Sequence, residues 1–190
     1  MDRGKQRHWA EEGYKLFAEE GLEGLQVERL ARMLGLNKSG FYHYFGDLDE
    51  FCNELIRLHE EKVTLFIEDV REIKVLDPEY LDLLVHHAVV VMFQVQLVRH
   101  KNQHNFYKAS EIVDQRVNPE IHTLWSEFLG DQSRSYLALR YYFIVRDTFY
   151  TRISFQNLNY PYLHAFVTEA KGVMSQMSRS EPAVMSKVAR

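Results

Sequence analysis

The sequence consists mostly of long segments with helical periodicity, and very few prolines interrupt them. The 190 residues contain only four prolines, at Pro78, Pro119, Pro161 and Pro182. Each lies where a helix could begin or where regular structure has ended. Elsewhere apolar residues recur at three- and four-residue spacing, and no series of short alternating segments joined by hairpin turns is visible. This pattern predicts an all-α fold.

The helical segments divide the chain into two parts. We predict helices over residues 5–20, 27–34, 38–44 and 48–74, an apolar helix over 78–99, a polar aromatic stretch to 117, and helices over 119–129, 132–155 and 161–177. We therefore expect an N-terminal domain of residues 1–47 and a helical domain of residues 48–178. Residues 179–190 show no sustained apolar stripe, so we expect a mobile tail there.

Composition and charge limit the kinds of function that the chain can have. Hydrophobic residues make up 46% and charged residues 26%, which is the balance of a folded protein with a sizeable core. The formal net charge is -4 at pH 7, which argues against a protein that coats nucleic acid through bulk positive charge. Any DNA binding must therefore be local.

The single cysteine and the apolar segments indicate a cytoplasmic protein. Cys52 cannot form an intrachain disulfide, and the N-terminus lacks the pattern of a secretory leader. The most apolar stretch, residues 81–98, contains Asp82, His86 and Gln94, so it predicts a buried helix and no membrane contact. Cys52 is expected to be a small core residue in preference to a redox sensor, because no basic cluster is arranged to lower its pKa.

Residues 24–45, GLQVERLARMLGLNKSGFYHYF, have the pattern of a helix-turn-helix. Gly35 permits a tight turn between two short helices, and Leu36 fills the gap between them. With Phe41 and Phe45 pointing inward, helical spacing turns four polar or basic residues outward or toward the helix start. These residues are Lys38, Ser39, Tyr42 and His43. They are suited to phosphates and base edges, and Gly40 allows DNA to approach the backbone closely.

The order of the N-terminal elements resembles the TetR family of transcriptional regulators. These elements are a helix containing LFAEEG, a short helix, the segment NKSGFYHYF and a long amphipathic helix. The resemblance covers about residues 8–58. It implies an N-terminal three-helix DNA-binding domain, followed by a helical domain that binds an effector and dimerises. It also implies a repressor that a small molecule releases from a near-palindromic operator in double-stranded DNA, with no cofactor.

The resemblance also assigns DNA contacts. The residues implied are Gln26, Lys38, Ser39, Gly40, Tyr42, His43 and Tyr44, with Arg29 as an additional contact. The chain departs from the family at Leu48, where a lysine commonly begins the long helix. Asp47 and Asp49 beside it would repel phosphate, so binding is expected to be weaker or to depend on Arg3, Lys5 and Arg7.

Aromatic residues of the second domain are candidates for an effector cavity of the kind that the resemblance implies. The candidates are Phe93, Phe106, Tyr107, Trp125, Phe128 and Tyr142. Periodicity alone does not separate a pocket wall from a core position, so both interpretations remain open for each residue. Walls of this composition suit a mainly apolar or aromatic effector.

The last two long helices are the predicted homodimer interface. Residues 136–153 are apolar on nearly every side, and such a helix must be covered on more than one face. The resemblance implies that these helices pair with their symmetry mates in a four-helix bundle. The candidate interface residues are Phe143, Tyr150, Leu163, Phe166, Val167, Ala170 and Met174, with Arg146 at the rim.

Two other classes of function remain as alternatives. A dimeric helical interaction module without specific DNA binding is favoured only by the acidic residues beside Leu48. An all-helical enzyme is disfavoured, because the chain lacks a glycine-rich phosphate loop, HExxH and GxSxG. His100 and His104 have the spacing of two metal ligands, but no third ligand is fixed by a motif, so we expect no metal site.

Overall fold

The computed structural model describes residues 3–130 and 136–180, and within these ranges it contains nine α-helices and no strand. The helices are α1 (Arg3–Glu20), α2 (Val27–Leu34), α3 (Lys38–Phe45), α4 (Leu48–Glu72), α5 (Leu81–His86), α6 (Ala88–Arg99), α7 (His104–Leu129), α8 (Tyr136–Arg152) and α9 (Tyr160–Ser180). A 3₁₀ turn, Leu22–Gly24, follows α1, and a wide helical turn, Leu76–Tyr80, precedes α5. The all-α prediction is confirmed.

The N-terminal helices end at residues that suit their backbone geometry. Gly35 follows α2 with φ of 65°, the left-handed conformation that glycine adopts without steric cost, and its N–H bonds back to α2. The N–H of Leu36 donates to the carbonyl of Ala31 at 2.9 Å. At the start of α4 the Asp47 carboxylate accepts from the N–H of Glu50 at 2.8 Å, a side-chain cap. The turn between α2 and α3 and the start of α4 are therefore both fixed by local bonds.

Two predicted helix boundaries in the second domain are wrong. The apolar helix predicted over 78–99 is broken at His87, where the segments Leu76–His86 and Ala88–Arg99 meet at 83°. The break predicted before Pro119 is absent, because Pro119 lies inside the continuous helix α7. Pro119 is exposed, whereas Asn118 and Ile121 are buried, so packing on the inner face holds the helix together past the proline.

The C-terminal elements also differ in extent from the prediction. The described part of α8 ends at Arg152 instead of residue 155, where the Asn157 side chain accepts from the N–H of Ser154 at 2.7 Å and turns the chain. Helix α9 continues to Ser180, so the first two residues of the predicted tail are helical. Residues 181–190 of that tail, and the predicted helix start at 132, lie outside the described residues.

One hydrophobic core extends from the first helix to the last. Helix α1 packs against both α4 and α6. The rings of Tyr14 and Phe93 are stacked with centroids 4.2 Å apart, and Phe17 lies 5.3 Å from Phe106. Because Phe93 and Phe106 belong to α6 and α7, the core of the helix-turn-helix region is completed by residues that lie beyond the predicted N-terminal domain.

Within the described residues no single helix is both long and apolar enough to cross a membrane. The bent pair Leu76–His86 and Ala88–Arg99 reaches the necessary length and composition only when both segments are taken together. Val91 to Leu97 on the second segment are all buried inside the protein.

Candidate nucleic-acid interface and cavity

Helix α3 is anchored from behind by two phenylalanines. Phe41 is fully buried and Phe45 is 7% exposed. The Phe41 ring lies 5.5 Å from Trp9 on α1 and 5.0 Å from Phe51 on α4, both edge to face. Such aromatic pairs restrict rotation of the helix about its own axis. The two anchors therefore determine which side of α3 faces outward.

The outward side of α3 carries the polar residues predicted for DNA contact. Lys38, Ser39 and His43 are exposed, and Tyr42 is 51% exposed although it is aromatic. No atom would lie within 4 Å of a Cβ added at Gly40, so the backbone there is open to close approach. The structure thus brings these five residues together on one accessible face.

The other three predicted contacts lie in different surroundings. Gln26 is exposed at the residue before α2, and its side chain makes no capping bond. Arg29 is held by Glu20, with 2.6 Å between Nη2 and Oε1. Tyr44 is half-buried against the core. Gln26 is therefore accessible, whereas Arg29 would have to exchange Glu20 for a phosphate.

Lys38 is also paired with an acid. Its Nζ lies 2.8 Å from Oε1 of Glu28 on α2, and this hydrogen bond raises the pKa of Lys38. Both side chains are more than half exposed, so the pair is weak and a phosphate can compete with it. Sequence reasoning missed this pairing, because Glu28 and Lys38 meet only after α2 and α3 have packed.

Arg7, one of the basic N-terminal residues predicted to support DNA binding, is paired within the protein. Arg7 bonds to Glu11 and to Glu61 on α4, with both distances at 3.0 Å. Lys5 is exposed, and the side chain of Arg3 lies outside the described residues. Arg7 is therefore already engaged within the protein.

The acidic start of α4 has a structural role. Asp47 caps this helix, and Leu48, which stands in the position of the family's lysine, is half-buried against the core. An aspartate at a helix N-terminus is stabilised by the helix dipole. The family's phosphate contact is thus replaced here by a cap and a packing residue.

A cavity of about 130 Å³ lies between α4 and the helices of the second domain. Of the six aromatic residues predicted to form an effector site, Trp125 and Tyr142 line it. Phe93 and Phe106 instead fill the junction with α1, because the helices that carry them pack on that side. Tyr107 is 47% exposed, and Phe128 lies beneath Lys171, whose Nζ is 4.6 Å from the ring centroid.

The cavity wall also contains a buried polar cluster that sequence reasoning missed. Arg146 Nη1 lies 2.9 Å from Asp114 Oδ2, although Arg146 was expected at the rim of a dimer interface. Oδ1 of Asp114 accepts from the Tyr150 hydroxyl at 2.9 Å and from the Gln94 amide at 3.1 Å. Arg146 and Asp114 are far apart in sequence, so only the packing of α7 against α8 shows the pair.

Hydrogen bonds continue from this cluster to α1. His59 Nε2 lies 3.3 Å from Gln94 Oε1, and His59 Nδ1 lies 2.8 Å from the Tyr14 hydroxyl. Because Gln94 Oε1 can only accept, Nε2 carries the proton, and Nδ1 of the neutral ring then accepts from Tyr14. A single direction of donation thus runs from Tyr14 through His59 and Gln94 to Asp114.

Burial determines the charge states of this region. His59 is completely buried, and burial lowers its pKa to about 3, so the ring is neutral at pH 7. Burial also raises the pKa of Asp114, more than its neighbour Arg146 lowers it. The thiol of Cys52 has its pKa raised to about 12, first by burial and then by Asp49 and Asp47. A thiol of this kind is unreactive, in agreement with a core position.

The residues predicted for the dimer interface mostly face the interior of their own protomer. Leu163, Val167, Ala170 and Met174 are at most 7% exposed. Tyr150 and Phe166 line the cavity, and Phe143 is half-buried beneath the Arg146 guanidinium. The large apolar side chains exposed on α8 and α9 are Tyr136, Ile144, Val173 and Met177.

His100, one of the two histidines considered for metal binding, is otherwise engaged. His100 Nδ1 lies 2.9 Å from the carbonyl of Gln96, and its Nε2 lies 3.1 Å from Glu23. Among residues 3–130 and 136–180, no group of three or more His, Cys, Asp or Glu side chains is arranged to hold a metal ion.

Known proteins resemble the chain in its N-terminal part. Residues 11–55 match the family of bacterial regulatory proteins, tetR family. The HTH-type transcriptional regulator PksA of Bacillus subtilis is 34% identical over 71 residues, which are 37% of this chain and 35% of that protein. An HTH-type transcriptional regulator of Staphylococcus aureus strain USA300 is 33% identical over 61 residues, 32% of this chain and 31% of that protein.

The matches cover only part of each protein, since the chain spans about a third of the length of these curated relatives. No solved structure matches the chain significantly. The matched family segment runs from within α1 to within α4 and so contains both anchors of α3 and its outward polar face. Residues 11–55 are therefore a helix-turn-helix segment of the kind found in the tetR family of bacterial regulatory proteins.

Proposed function

We propose that the protein is a sequence-specific transcriptional repressor, and not an enzyme, that acts in the cytoplasm as a homodimer. It binds a near-palindromic operator through the outward face of α3, and a small apolar or aromatic effector releases it. The observation that carries this proposal is the pair of buried anchors, Phe41 and Phe45, which hold exposed Lys38 and Tyr42 on the opposite side of a short helix. A recognition helix requires this division of its two sides.

Effector release is supported by the position of the cavity. His59 and Gln94 line it, and both belong to the hydrogen-bonded series that ends at Tyr14 on α1. A ligand that moves either side chain would shift the packing of α1. Phe41 on α3 packs against α1 through Trp9, so the shift would reach the proposed recognition helix. Because binding free energies are reciprocal, effector and operator would each lower the affinity for the other.

We expect Tyr42→Ala and Lys38→Ala to weaken operator binding about tenfold while helical content stays unchanged. Both side chains are exposed, so their removal costs little packing. The Lys38 variant should also reduce the slope of log affinity against log salt concentration by about 1, because a phosphate contact is lost. DNA selected by the parent protein from a random pool, followed by mobility shift at several salt concentrations, provides the measurement.

Glu28→Gln is the matched control for Lys38. It removes the carboxylate that competes for the Lys38 ammonium and keeps a side chain of the same shape. This variant should bind the selected DNA more tightly than the parent protein, with a steeper salt dependence. If all three variants bind as the parent does, α3 is not the recognition helix. If the random pool yields no enriched sequence, the chain is the helical interaction module, which the pairing of Lys38 and Arg29 with glutamates favours.

The homodimer part of the proposal depends on the outer faces of α8 and α9. Ile144 is 62% exposed, Val173 43% and Met177 45%, so α8 and α9 each present large apolar side chains to solvent. A two-fold pairing through these faces would allow the two recognition helices to enter successive major grooves of DNA, which are about 34 Å apart. Phe166 and Phe143 are unsuitable test positions, because a charge at either would disturb the protomer's own packing.

We expect Ile144→Asp to convert a dimer into a folded monomer that binds the selected DNA at least about tenfold more weakly. Sedimentation at micromolar protein concentration measures the change of oligomeric state. Leu65→Asp is the matched control, because Leu65 is 59% exposed on a different helix, α4. A monomeric parent protein, or a dimer that survives Ile144→Asp, would contradict the interface.

A further inference from the structure

We infer that the cavity takes an uncharged ligand about the size of one aromatic ring, bearing an oxygen that accepts a hydrogen bond from Tyr80 or Asn118. The inference rests on the proposed function only in treating the cavity as the effector site. It goes further by naming the charge of the ligand and the polar group that it carries.

The size follows from the volume of the cavity. About 130 Å³ is available, and an apolar cavity of about 150 Å³ in another protein holds one benzene molecule. Most of the wall is aliphatic or aromatic, and such walls exclude water and favour a flat apolar molecule. Representative wall residues are Val63, Phe66, Leu84, Ile121, Trp125 and Phe149.

The charges in the wall are already compensated. Arg146 is bound to Asp114 within the cavity and to Asp147 outside it, at 2.9 Å and 2.8 Å. Asp114 accepts two further hydrogen bonds, from Tyr150 and Gln94. A ligand carboxylate or ammonium would find no unpaired charge of opposite sign in the wall. Burial of an unpaired charge in a mainly apolar site is costly. His59, which is buried and neutral, adds no charge.

Two donors in the wall remain available for a ligand. The Tyr80 hydroxyl makes no hydrogen bond with any described residue, although its side chain lines the cavity beside Tyr142 and Asp114. The Tyr142 hydroxyl donates to Oδ1 of Asn118 at 3.0 Å, which leaves the Asn118 amide N–H groups without a partner in the described residues. Hydroxyl and amide donors without partners select an oxygen acceptor such as a carbonyl.

Four small probes of one ring size separate the possible classes. Acetophenone carries the carbonyl, ethylbenzene has nearly the same shape without an acceptor, benzoate is an anion, and benzylamine is a cation at pH 7.5. Binding of each to the purified full chain without DNA is measured by calorimetry. We expect acetophenone to bind about fivefold more tightly than ethylbenzene, which corresponds to one net hydrogen bond, and both ions to bind more weakly than either.

Tyr80→Phe should remove most of the preference for acetophenone and leave ethylbenzene binding unchanged. Tyr107→Phe is the matched control, since it deletes the same atom from an exposed tyrosine outside the cavity wall. Asn118→Leu is a second variant with the same expected direction, and melting temperatures confirm that each variant is folded. The inference is overturned if benzoate or benzylamine binds most tightly, if no probe binds at millimolar concentration, or if the preference survives both cavity variants.

Failure of this inference is distinguishable from failure of the proposed function. The probe preferences are measured without DNA, whereas enrichment from the random DNA pool is measured without a probe. A protein that selects DNA but prefers a charged probe keeps the proposed function and contradicts the ligand class. A protein that selects no DNA but prefers acetophenone keeps the ligand class and contradicts the proposed function.

Discussion

Phe41→Ala is expected to lower the free energy of unfolding by about 3–5 kcal/mol, the usual cost of truncating a fully buried phenylalanine. Phe41 has no exposed surface and contacts aromatic rings from α1, α3 and α4. The truncation would therefore leave a cavity where three helices of the DNA-binding region meet. Denaturant unfolding followed by circular dichroism, at one fixed protein concentration, measures the loss.

The neighbouring residue provides the control for this prediction. Tyr42 is about half exposed, so Tyr42→Ala should change the free energy of unfolding by no more than about 0.5 kcal/mol. Both variants should lose DNA affinity, the first because α3 is no longer anchored and the second because a contact is removed. Equal unfolding midpoints for the Phe41 variant and the parent would show that α3 is not held by this core.

The second large effect is a loss of stability on acidification that arises from His59. Its pKa in the folded protein is about 3, below the ordinary value near 6.5, because burial disfavours the charged ring. Between these values the unfolded chain binds a proton that the folded chain does not bind. Stability is therefore present above pH 6.5 and declines as the pH falls, by about 2 kcal/mol between pH 7 and pH 5.

His59→Gln separates this contribution from those of the acids. Glutamine does not titrate, so the parent and variant stability curves should converge by about 2 kcal/mol between pH 7 and pH 5. The carboxylates with lowered pKa values, such as Glu11 and Glu28, contribute equally to both proteins. Curves that stay parallel over this range would mean that His59 accepts a proton in the folded state.

The helix-turn-helix could be predicted from sequence because its information is local. Gly35, Phe41 and Phe45 determine the turn and the inward side of α3 within about a dozen residues, and the predicted bounds of α2 agree with the structure. The outward position of Tyr42 then follows from helical spacing alone. Short-range geometry of this kind depends little on the rest of the chain.

The cavity could not be predicted because its polar residues come from four different helices. His59, Gln94, Asp114 and Arg146 are separated by 20 or more positions from one to the next, and each taken alone resembles an ordinary surface residue. Only the packing of α4, α6, α7 and α8 brings them into one hydrogen-bonded cluster. Arg146, which directly follows the apolar run of residues 143–145 on α8, was the available signal.

The interface residues illustrate a different limit. The stripe of Leu163, Val167, Ala170 and Met174 on α9 is predicted from sequence as part of the dimer interface, but periodicity does not identify the partner that buries an apolar stripe. In the structure that partner is the protomer itself. The proposed second protomer would instead cover the residues that are exposed on the other sides of α8 and α9.

The continuous core between α1 and the later helices bears on how a protein of this architecture can change during evolution. Tyr14 and Phe17 are buried by Phe93 and Phe106, which lie well beyond residue 47. A recombination event that joined residues 1–47 to the helical part of a different protein would leave those rings without matching neighbours. If α3 binds DNA as proposed, new specificity is therefore more accessible through point substitutions on its outward face than through exchange of residues 1–47.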